Sequence, residues 1–85
     1  MTTKAPSPVK EFPADSPEKI AYSVVEGIPA EEPNDLNRLG YHIWLYLTGK
    51  VASLEEAIKM ARSRLKISEE SAIQIIKERL KEKGF

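Results

Sequence analysis

The run from Gly40 to Lys50, GYHIWLYLTGK, gathers the only His, the only Trp and two of the three Tyr of the chain. His42 is the one side chain there that exchanges a proton near neutral pH, so any acid or base chemistry would be built around it. Such chemistry requires a partner: a nucleophile, a carboxylate that orients the ring, or a metal. The chain has no Cys, which removes disulfides and thiolate nucleophiles, and one His without Cys cannot supply the ligand set of a structural zinc. No glycine-rich phosphate cradle occurs either. Tyr46 lies four positions after His42, a spacing at which two rings meet on a helix surface without any reaction being implied. The expectation is a protein that is not an enzyme, with no catalytic residue, no cofactor and no metal, and with His42 as a half-buried packing residue.

Eighty-five residues make one domain at most, and a chain of this size buries about 60% of the surface its unfolded form exposes. Thirteen basic residues balance thirteen acidic ones, which argues against a general binder of polyanions. The two parts differ little. Residues 1–50 carry five Lys/Arg and seven Asp/Glu, and residues 51–85 carry eight and six. The longest apolar run is Ile43 to Leu47, far short of the roughly 20 residues that cross a bilayer as a helix. With no apolar leader near Met1, the chain reads as cytoplasmic. Abundant Lys, Glu and Ile beside two Asn and one Gln is the direction that thermophilic compositions take.

Four helices must position these residues. The first 14 residues, with Pro6, Pro8 and Pro13 and no hydrophobic period, read as a flexible amino-terminal arm, and residues 15–85 as a single all-helical domain. Ser16, Pro17 and Glu18 form a start signal for a helix over about 17–26, ended by Gly27 and Pro29, with Ile20, Ala21, Val24 and Val25 on one face and Tyr22 on the other. A second helix over about 35–48 takes Asn34 or Asp35 as its cap and stops at Gly49. Ser53 and Glu56 have capping-box spacing, and Leu54, Ala57, Ile58, Ala61 and Leu65 continue a helical stripe, so a third helix spans about 54–65, with Glu55 and Lys59 forming an i,i+4 pair. Ser68 caps a fourth over about 69–83. The architecture expected is a small four-helix domain whose last three helices form a helix-turn-helix-like trihelical unit.

The segment KISEESAIQIIKERL loosely resembles a DNA-reading helix-turn-helix, which makes Ser71, Gln74, Lys77 and Lys81 the candidate nucleic-acid contacts. It also resembles the second helix of ubiquitin-associated-type domains, over about 15 residues whose common features are those of helix capping. With Ala72, Ile73, Ile76 and Leu80 turned inward, however, the outward face of the fourth helix carries Glu70, Glu78 and Glu82 against Lys81. Carboxylates beside phosphates oppose the term that supplies most affinity for nucleic acid. DNA binding is therefore the second reading.

The second helix supports the first. Ile43, Leu36, Leu47 and Leu39 share a wide apolar face, yet Tyr41 and Leu45 lie on the opposite side, and a helix apolar all round is covered on both sides. Either the first helix covers that pair or another molecule does. The expected function is a non-catalytic interaction module or accessory subunit that docks to another protein, or to itself, through Tyr41, Leu45 and Trp44 on the second helix and Ile75 on the fourth.

Overall fold

The computed structural model describes residues 16–85; the expected arm, residues 1–14, lies outside the described residues. Four helices follow in order: α1 (Pro17–Val25), α2 (Pro33–Leu47), α3 (Leu54–Ala61) and α4 (Glu69–Glu82). Among the described residues no strand forms beyond one antiparallel bridge between Ala30 and Leu65.

Capping explains most of the boundaries. The Ser16 hydroxyl accepts the Lys19 N–H at 3.3 Å, Ser53 accepts Glu56 N–H at 3.1 Å, and Ser68 accepts Ser71 N–H at 3.0 Å. Each bond satisfies one of the amide hydrogens that a helix start leaves without a partner. Gly49, at φ 84°, takes the left-handed turn that stops α2.

Two boundaries differ from the sequence expectation, and one side chain causes both differences. α2 begins at Pro33 with Glu32 as its cap, not at Asn34 or Asp35. Asp35 is instead the third helical residue, and its carboxylate reaches back to accept the Glu32 N–H at 3.1 Å. α3 stops at Ala61, four residues short of Leu65, because Arg62 turns left-handed at φ 52°. Beyond it the chain is drawn onto Asp35. Arg64 N–H donates to the Asp35 carboxylate at 3.1 Å, and the Ser63 hydroxyl donates to the Asp35 carbonyl. Arg38 bonds both the same carboxylate, at 2.8 Å, and the Arg62 carbonyl, at 3.2 Å.

The helices form a closed ring: α1 packs on α2, α2 on α3, α3 on α4, and α4 back on α1. Thus α2, α3 and α4 keep the expected succession, and α1 is the fourth side, packed on both α2 and α4. Ile20, Val24, Leu39, Ile43, Ile58 and Ile76 fill the centre and are nearly or wholly inaccessible to solvent. Two connections lock the ring at the end opposite Ser16. The α1–α2 and α3–α4 connectors pair through the Ala30–Leu65 bridge, with Glu31 N–H to Arg64 O and Lys66 N–H to Pro29 O both at 2.9 Å. From α4, the Arg79 guanidinium donates to the carbonyls of Val24 at 3.0 Å and Glu26 at 2.8 Å. These acceptors lie at the C-terminal end of α1, where carbonyls lack helical partners and cations are favoured.

Candidate interaction surface

Gly40 decides where α1 sits on α2. It is buried at the middle of the helix, and a β-carbon there would lie 2.6 Å from Cδ1 and 2.7 Å from Cε1 of Tyr22. The Tyr22 ring therefore occupies the space that a side chain would fill, and only glycine admits it. Because α1 is seated over Gly40, the outward side of α2 is left open. Tyr41 remains 48% exposed and Tyr22 41% exposed, whereas Trp44 and Leu45 are half-buried. Helix one thus leaves Tyr41 uncovered.

The rings are ordered against one another. Tyr41 and Trp44 have centroids 5.8 Å apart and tilted by 32°, and Tyr41 meets His42 edge to face at 5.4 Å. Both separations lie in the range where aromatic pairs attract. Trp44 stands one turn from Gly40 on the same side of α2, so it borders the strip that Tyr22 covers. Tyr22, seated over Gly40, and the Tyr41–Trp44 pair thus form an aromatic band across α1 and α2.

Among the described residues, the hydrogen bond of the His42 ring is to the backbone of its own helix. Its Nδ1 lies 3.0 Å from the Arg38 carbonyl, and since a carbonyl only accepts, the bond places the proton on Nδ1. The ring turns to Tyr41 rather than to Tyr46 four positions on. Among the described residues no group of three His, Asp or Glu side chains converges as a metal would require, and no helix is long and apolar enough to cross a membrane.

The remaining sequence candidates are distributed elsewhere. Ile75 is half-buried and packs against the core from α4, on the side of the ring that α2 does not touch, so it does not join the aromatic band. Ser71 is engaged in the start of α4, with its hydroxyl 3.0 Å from that of Ser68. Lys77 pairs with Glu55 of α3 at 3.1 Å; the sequence pairing of Glu55 with Lys59 gives way to this bond between helices. Glu55's own backbone N–H, and then Lys77, hold its carboxyl below the ordinary value. Gln74 and Lys81 are exposed.

Asp35 is the residue that sequence reasoning missed as a partner-gathering group. It is 1% exposed and carries a charge, which a buried site tolerates only with bonds to satisfy it. The Arg64 N–H foremost, with the Arg64 and Arg38 guanidinium groups and the Glu32 N–H, holds its carboxyl below the ordinary value, outweighing the burial that would raise it. Every one of these bonds ties protein to protein, so Asp35 is a clamp between connectors and not a free acid or base. Tyr22 was missed too, as a residue facing away from the core; the signal for it was a glycine in the middle of α2.

No protein-family model, no curated protein and no solved structure matches this chain, so the function is argued from this surface alone.

Proposed function

We propose that this protein is a non-catalytic helical interaction module, working in the cytoplasm as an accessory subunit, that docks another protein through the aromatic band of α2 and α1. The observation that carries the reading is the exposure of Tyr41 and Tyr22 at 48% and 41% beside the half-buried Trp44. Tyr and Trp are the residues that most often anchor interfaces, since they bury a large rigid area and lose few rotamers in doing so. The ring of helices below supplies the rigid support that such anchors need.

A paired co-purification tests it. The wild-type chain and Tyr41→Glu are used as baits from the same extract, with circular dichroism and melting curves matched. The reading expects a species retained by the wild type and lost by the variant. Species retained equally by both baits, or by neither, overturn it.

A further inference from the structure

We draw no further inference here: the strongest candidate, the surface cleft over the Asp35 clamp where the Arg38 and Arg64 guanidinium groups share one carboxylate oxygen, is matched in charge by Asp35 and Glu32 in its own lining, and nothing in the structure shows what would occupy it.

Discussion

Gly40→Ala should destabilise this protein, although the same change in an ordinary helix stabilises it. In an exposed helix interior, Ala is favoured over Gly by about 1 kcal/mol. Here the added carbon would stand 2.6 Å from Cδ1, 2.7 Å from Cε1 and 3.3 Å from Cγ of Tyr22. All three atoms belong to one rigid ring and can move only together. Cγ is one bond from the Tyr22 β-carbon, so relieving that contact requires a new rotamer or a retreat of α1 from α2. Overpacking of this kind costs about 1–3 kcal/mol. Set against the gain in propensity, the net loss is about 1 kcal/mol, or about 4–8 °C in melting temperature for a domain of this size. Removing the ring should reverse the sign. In a Tyr22→Ala background, Gly40→Ala should stabilise by about 1 kcal/mol, giving a coupling of about 2 kcal/mol between the two sites. Thermal and urea unfolding followed at 222 nm, on the four proteins of this cycle, measure it. Stabilisation by Gly40→Ala with Tyr22 intact would refute the seating of α1 over Gly40, and with it the reason that Tyr41 lies open.

Three further outcomes follow from the joints of the ring. Asp35→Ala leaves two amide hydrogens and two guanidinium groups without their acceptor, and should lower the melting temperature by roughly 10 °C or more. Because the folded Asp35 carboxyl titrates below its ordinary value, its contribution is complete above the unfolded pKa, about 3.9, and is lost as pH falls through the folded one; the acid limb of stability should therefore flatten in Asp35→Ala, as urea midpoints between pH 7 and 3 would show. Arg62→Gly relieves a left-handed backbone that costs a residue with a β-carbon about 1 kcal/mol, and should raise the urea midpoint, with the opposite shift counting against the assigned end of α3. Arg79→Leu strips donors from the Val24 and Glu26 carbonyls and should cost about 1–3 kcal/mol, with hydrogen exchange accelerating first at the C-terminal end of α1.

The starts of α1, α3 and α4 were legible in the sequence because capping is local: Ser16, Ser53 and Ser68 each act on an amide three residues on. The Gly49 stop was legible for the same reason. What escaped was set by bonds across the chain. Nothing near Leu65 shows that α3 ends at Ala61; the cause is Asp35, 29 positions from Arg64. The start of α2 was misplaced because Asp35 is a common cap residue, and only the Glu32–Asp35 bond shows it to be inside the helix. At the candidate surface, the helical wheel put Tyr41 and Leu45 on the side away from Ile43, and the structure leaves Tyr41 exposed and Leu45 half-buried, but a wheel cannot say where a neighbouring helix is seated. That was decided by Tyr22 on Gly40, a contact between two helices. Ile75, expected on the apolar flank of the fourth helix, is half-buried there and packs against the core.

The central claim is that the face of α2 bearing Tyr41 meets another protein. Its most direct test is a photo-reactive phenylalanine analogue placed at position 41, with the same residue at the exposed position 78 of α4 as the control, in the full chain in its native extract. The account predicts a discrete adduct of higher mass from position 41 and none from position 78. Equal labelling at the two positions, or no intermolecular adduct at position 41, would contradict it.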